Sequence, residues 1–205
     1  MQDPLSQILD EVLAQVVIDV DLHARWLNTF SYLEYIGFRK IVKSQSRVTL
    51  ETLHHASEEC RHALLLKRLA IKIGGPSFAS YETRRLLCAE KAEAYFQTLD
   101  STCAHNLYHG TELTYLYVTW LVEHRALDVY RRYQLASPAV ARQLTALLGE
   151  EERHLLTVAS RLQILDTDFR RRSLKLMRIE TRLYQDFLLA LKAEIGAKGQ
   201  ALVRP

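Results

Sequence analysis

The sequence predicts an all-α protein, and three observations carry that prediction. Glycine and proline are sparse, 7 and 4 in 205 residues, and nearly half of the chain is apolar, a composition that suits long helices. Apolar residues recur at three- and four-residue spacing over stretches longer than any ordinary strand. The run Glu58-Glu59-Cys60-Arg61-His62 returns as Glu150-Glu151-Glu152-Arg153-His154, so both copies read Glu-Glu-x-Arg-His. A Glu three residues before a His places carboxylate and imidazole one helical turn apart on one face. Such a pair offers a hard oxygen and an imidazole nitrogen to one metal.

The elements follow in order. Asp3-Pro4 is a helix start, a capping side chain followed by proline at the first helical position. Helical spacing then runs from Leu5 to Val42, with Asp19 and Asp21 leaving open whether this is one helix or two. Its inward line is Leu27, Phe30, Glu34, Gly37, Ile41. A second helix is predicted from about Thr49 to Ile73, with Thr52, His55, Glu59, His62, Leu66, Leu69 and Ile73 inward; Gly74-Gly75-Pro76 ends it. Residues 79–100 read as a further helix within a long crossover. A third main helix starts between Ser101 and Thr111 and ends at Leu135, with Leu116, Thr119, Glu123, Ala126 and Tyr130 inward. Ser137-Pro138 opens the fourth, whose line is Val140, Leu144, Leu147, Glu151, His154, Val158. A last helix is expected over about 169–195. The chain is thus read as one domain over 1–197 with a flexible tail at 198–205.

Composition excludes several classes of function. A net charge of +3 is too small to argue for DNA. The basic cluster Arg170, Arg171, Arg172, Lys175, Arg178, Arg182 reads as a solvated face before it reads as a surface for RNA or acidic lipid. Three cysteines, Cys60, Cys88 and Cys103, give neither a Cys-x-x-Cys nor a disulfide framework. With an acidic start unlike a signal peptide and no apolar run of membrane-spanning length, the expected setting is the cytoplasm.

Two more carboxylates complete the pattern. Glu34 lies 25 residues before Glu59 and Glu123 lies 28 before Glu151, each within an apolar helical stretch. The chain therefore reads Glu…Glu-x-x-His twice: Glu34, Glu59, His62, then Glu123, Glu151, His154. Four buried carboxylates without compensation would be prohibitive, and two divalent cations would supply it. Glu58, Glu150 and Glu152 stand close enough to serve as alternative ligands, but only Glu59 and Glu151 keep the three-residue step to a His. His55, four residues before Glu59, reads as a core histidine or as support behind the ligands.

In this order and spacing, the residues resemble the ferritin-like di-iron carboxylate superfamily over about residues 5–165. The resemblance implies an antiparallel four-helix bundle, here with a long crossover carrying an extra helix and a fifth, C-terminal helix. It also implies two Fe ions, manganese in place of one being left open. The acid and Arg repeated in both motif copies resemble those of multicomponent monooxygenases and acyl-carrier-protein desaturases. By that resemblance Glu58, Arg61, Glu150 and Arg153 tie the two ligand helices together and orient the histidines.

Two complete Glu-x-x-His pairs resemble oxidases, oxygenases and rubrerythrin-like proteins more than ferritin storage centres. In length and ligand order the chain is similar to aldehyde-deformylating oxygenase, demethoxyubiquinone hydroxylase and the tRNA-modifying hydroxylases. The function so implied is an O2-activating di-iron oxidoreductase acting on a small organic substrate. It would use O2 and an external electron donor, since no four-cysteine rubredoxin module is present, and a homodimer is compatible with it. A ferritin- or rubrerythrin-like iron-binding protein and a non-catalytic metal-bearing bundle are the alternatives. An apolar pocket ending at the metals favours the first reading, a polar ion path the second, and a sealed site the third. Tyr32, Tyr35, Tyr115, Tyr117 and Tyr130 on or near these helices read first as packing.

Overall fold

The computed structural model describes residues 3–44, 48–107 and 111–201, and these form seven α-helices with no strand among them. α1 (Pro4–Val16) starts where Asp3 accepts from the Ser6 amide at 3.4 Å. Leu5, Leu9, Val12, Leu13 and Val16 form its buried stripe. The long first pattern is two helices, because the Asp19 carboxylate accepts the Leu22 amide at 2.9 Å and opens α2 (Val20–Ser44). α3 (Leu50–Gly74) begins at the capping hydroxyl of Thr49, 3.1 Å from the Thr52 amide. It ends at Gly75, whose φ of 86° is left-handed.

α2 and α3 pack antiparallel. Ser31 Oγ donates to the Ala63 carbonyl at 2.7 Å, and Lys67 bonds Asn28 one turn away. Two glycines let the pair close. A Cβ on Gly74 would lie 2.4 Å from Ala24 Cβ and from the Phe78 ring. One on Gly37 would lie 3.0 Å from a Glu59 carboxylate oxygen. Gly37 thus leaves room for the Glu59 side chain.

The crossover departs from the expected helix over 79–100. After two short 3-10 turns, Pro76–Phe78 and Thr83–Arg85, α4 runs Ala89–Asn106. Side chains of α2 take the backbone groups that an earlier helix would need. Asn28 donates to the carbonyls of Ser80 and Arg85 at 3.1 and 3.0 Å, and Thr29 Oγ1 accepts the Leu87 amide at 2.7 Å. Leu86 and Leu87 are buried there in non-helical backbone. Apolar spacing alone reads them as a helix face.

α5 (Thr111–Ala136) and α6 (Pro138–Leu165) form a second antiparallel pair around Ser137. The two pairs meet through α3 and α6, and between α2 and α5 where the Phe30 and Tyr130 rings stand 5.8 Å apart. α7 (Phe169–Ala201) packs on α1, α4 and α5. It runs past the expected end near 195, so residues 198–201 of the predicted tail are helical, while 202–205 lie outside the described residues. Arg125 grips Glu180 of α7 with two bonds of 2.8 Å, and Tyr95 of α4 donates to the same carboxylate at 2.9 Å. This buried tie fixes α4 and α7 against α5, the helix that carries Glu123. No helix among the described residues is long and apolar enough to cross a membrane.

Candidate metal centre

The six residues of the doubled pattern converge. Glu34 comes from α2, Glu59 and His62 from α3, Glu123 from α5, and Glu151 and His154 from α6. All six are more than nine-tenths buried. The His62 and His154 rings stand 6.3 Å apart, centroid to centroid. Ligand atoms of Glu34, Glu59, His62 and Glu151 all lie within 4.8 Å of one another, and so do those of His55, Glu59, Glu123 and His154. These are two adjacent groups with Glu59 in both, and either could hold a metal ion.

The chemistry of the donor atoms fits a cation. Glu59 Oε1, both Glu151 oxygens, Nδ1 of His62 and of His154, and Nε2 of His55 are buried without a hydrogen-bond partner. Proteins rarely leave one such atom unsatisfied, because each costs about 1–3 kcal/mol, and more when charged. His62 Nδ1 is 2.9 Å from Glu151 Oε1, yet outside hydrogen-bond geometry. The two atoms converge on shared space rather than on each other.

Charge in this space is strained. Burial, and then the nearby Glu59 and Glu151, push the Glu34 carboxyl well above its usual range. Burial, and then Glu123, raise Glu151. On Glu123 burial acts upward but is outweighed by the closeness of Glu151, His154 and His55, which hold it low. The same carboxylates overcome the burial of His55 and His62, raising each to about 9, and of His154, raised to about 11. Divalent cations placed among these carboxylates and imidazoles would compensate the buried charge.

The outer nitrogens of the two motif histidines are held alike. His62 Nε2 donates to Glu150 at 2.9 Å and His154 Nε2 to Glu58 at 2.6 Å, so each Nδ1 faces the site. Each acid reaches across to the other motif's histidine and is met there by that motif's Arg. Arg61 donates to both Glu150 oxygens at 3.0 Å and Arg153 to Glu58 at 3.4 Å. The arginines are more exposed than a burying tie requires, 52% and 59% of the side chain. Glu58 and Glu150 therefore sit on the outer side of the two histidines, outside both candidate metal groups. Glu152 is exposed and paired with Arg131 at 2.6 Å.

His55 is the correction at this site. Its ring lies 4.3 Å from that of His154, centroid to centroid and tilted by 56°, and its Nε2 lies 3.4 Å from both Glu59 and Glu123. Nδ1 shares a 3.3 Å hydrogen bond with the Tyr115 hydroxyl, which leaves Nε2 as the inward donor atom. The signal was present in the spacing: His55, Glu59 and His62 at four- and three-residue steps share one helix face. The second copy has Leu147 at the matching position, so the repeat itself does not mark His55 as a donor. Two tyrosines are likewise more than packing, since Tyr115 holds His55 and the Tyr130 hydroxyl donates to Glu34.

A cavity of about 730 Å³ ends on this second group. It lies among α2, α3, α4 and α5, with Ile41, Phe96, Leu107, Val118 and Val122 as apolar wall and His55, Glu59 and Glu123 at its inner end. Glu34 lines a smaller hollow of about 70 Å³, walled by Phe30, Tyr130, Tyr184 and Phe187 and also reached by Glu59, Glu123 and Glu151. Against known proteins, no family model matches the chain, and no curated protein or solved structure is significantly similar to it.

Proposed function

We propose that the chain is a ferritin-like, O2-activating di-iron oxidoreductase that acts on a small organic substrate. The observation that carries this reading is the apolar cavity ending on His55, Glu59 and Glu123. An iron-storing or iron-moving protein needs a polar path to its metals, and a purely structural metal site needs no cavity at all. Concave, mainly apolar pockets of this size suit organic ligands. In the bundle reading, α2, α3, α5 and α6 are the four ligand helices, α4 belongs to the crossover and α7 is the fifth helix.

Two ferrous ions held by Glu34, Glu59, His62, Glu123, Glu151, His154 and His55 would supply the electrons that activate O2. The chain's own residues do the rest. Glu58 and Glu150 fix the ring orientation of the two motif histidines, and Tyr115 fixes His55. Tyr130 holds Glu34 on the closed side. Val118, Val122 and Phe96 keep water from the inner end of the cavity and leave room for a carbon skeleton there. The three cysteines are free and scattered, so re-reduction would fall to a separate donor.

The test is to load the purified protein with iron, reduce it without air and record O2 uptake. Uptake accompanied by an absorption change of the metal centre is expected. Metal analysis of the same sample separates iron from a mixed manganese–iron centre. A protein that binds two ions and leaves O2 untouched would return the reading to a metal-bearing structural bundle.

A further inference from the structure

The cavity's wall carries charge at the end away from the metal ligands. Gly37 faces Glu59, and Lys40 and Lys43 continue the same α2 face one and two turns further out. On α5 the lining runs from Glu123 back to Thr114, nine residues or roughly 13 Å of helix. The cavity is thus elongated, with imidazole and carboxylates inside, apolar side chains midway, and the two ammonium groups of Lys40 and Lys43 with the single carboxylate of Asp100 beyond.

Lys40 is the unexplained group. Its Nζ is removed from solvent yet makes no hydrogen bond. Its neighbours are Asp100, half-exposed and 3.5 Å away outside hydrogen-bond geometry, and the Phe96 ring at 5.8 Å. A desolvated ammonium with three donors and no acceptor in hydrogen-bond geometry is costly, and an anion entering the cavity would relieve it. Lys43 is exposed on the same wall. Beyond Leu107, which borders the cavity, a second hollow of about 230 Å³ is lined by Arg171, Arg172 and Lys175. Asp166 and Asp168 bond Arg171 and Arg172 there and offset their charge, while Lys175 is exposed.

We infer that the cavity binds an elongated, mainly apolar anion, its carboxylate or phosphate end on Lys40 and Lys43 and its apolar end against His55, Glu59 and Glu123. The inference rests on the oxygenase reading and deepens it by naming the substrate class. It also fixes direction: the part of the molecule presented to the metals is remote from the charged group.

Binding is measured by calorimetry on the anaerobic, iron-loaded protein, so that no turnover is needed. The probes are dodecanoate, dodecyl phosphate, dodecanol and dodecylamine. Either anion should bind at least tenfold more tightly than the alcohol, and the amine most weakly. The tighter of the two anions tells a carboxylate end from a phosphate end. Lys40→Met should weaken the preferred anion about tenfold and leave dodecanol unchanged, while Val118→Trp should weaken all ligands together. With manganese(II) in the site, the methyl end of the bound anion should show stronger paramagnetic line broadening than the carbons next to its charged group.

Equal binding of alcohol and anion, no binding of any probe, or stronger broadening at the charged end would overturn the inference. O2 uptake is recorded on the same samples. Anion binding without O2 uptake would remove the oxygenase reading and keep the site; O2 uptake without anion preference would do the reverse.

Discussion

The two groups that could hold a metal ion are built from the same repeated motif and differ in what surrounds them. The Glu34 group is closed: Tyr130 bonds its carboxylate, and Phe30, Tyr184 and Phe187 fill the space behind. The Glu123 group is open: it adds His55 and faces a cavity ten times larger than the hollow on the other side, 730 against 70 Å³. Symmetric ligands therefore sit in an asymmetric shell. The lesson is that a repeated motif identifies the donors, while the residues that break the repeat indicate where a substrate can approach.

The sharpest test of the comparison removes a residue that both groups share. Glu59→Ala should lower the metal content from about two ions to less than one and abolish O2 uptake by the reduced protein, because Glu59 belongs to both groups. Glu123→Ala should abolish uptake too but retain an ion on the Glu34 side. Metal analysis alongside oxygen-electrode traces reads both. Full O2 reactivity in either variant would mean that the ligands are wrongly assigned.

The next effect separates the open side from the closed one. His55→Ala should weaken one of the two ions by more than the roughly 10–100-fold that losing a supporting group costs. Tyr130→Phe removes only a hydrogen bond behind Glu34 and should stay within that range. Competitive titration with a chelator distinguishes them. Equal effects of the two variants would make His55 a support like Tyr130 and not a donor to the metal.

The acids behind the histidines should rank by burial. Glu58→Ala leaves the His154 ring without its acceptor in a place closed to water, the Glu58 side chain being 4% exposed. Glu150 is 22% exposed, so a water molecule can replace its bond to His62. Both variants should lose metal affinity by about 10–100-fold, with Glu58→Ala nearer the upper figure. The reverse order, measured by the same titration, would deny that burial sets the difference.

Much of this was legible in the sequence because helical periodicity and ligand spacing are local properties. Thr49, Ser137-Pro138 and Gly75 mark helix ends near where the chain turns, and the two Glu-x-x-His pairs lie inward as their three- and four-residue lines require. What was not legible depends on contacts between distant segments. The start of α4 shifts to Ala89 because Asn28 and Thr29, some sixty residues earlier, capture the backbone of 80–87. His55 joins the candidate donors because α5 and α6 bring Glu123 and His154 to it, and no pattern within α3 alone distinguishes a donor from a core histidine. The cavity has no sequence signature, since its wall is drawn from four helices.

The smallest effect belongs to the repeated arginines. Were these ties buried, removing one partner would strand the other and cost about 3–5 kcal/mol. The pairs are Arg61 with Glu150 and Arg153 with Glu58, but each arginine side chain is more than half exposed. Water then competes for every bond the guanidinium makes, and exposed pairs of this kind contribute about 0.2–1 kcal/mol. Arg61→Ala and Arg153→Ala should each lower unfolding free energy by no more than about 1 kcal/mol, and metal affinity by less than the loss of either acid. A double-mutant cycle of Arg61→Ala with Glu150→Ala, followed by denaturant unfolding, isolates the pair. The geometry favours the larger end of that range, since Arg61 meets both Glu150 oxygens while Arg153 reaches only one of Glu58 at 3.4 Å. A coupling of several kcal/mol would show that the pair is sheltered in solution and that the outer face of the two motifs closes more tightly than its exposure indicates.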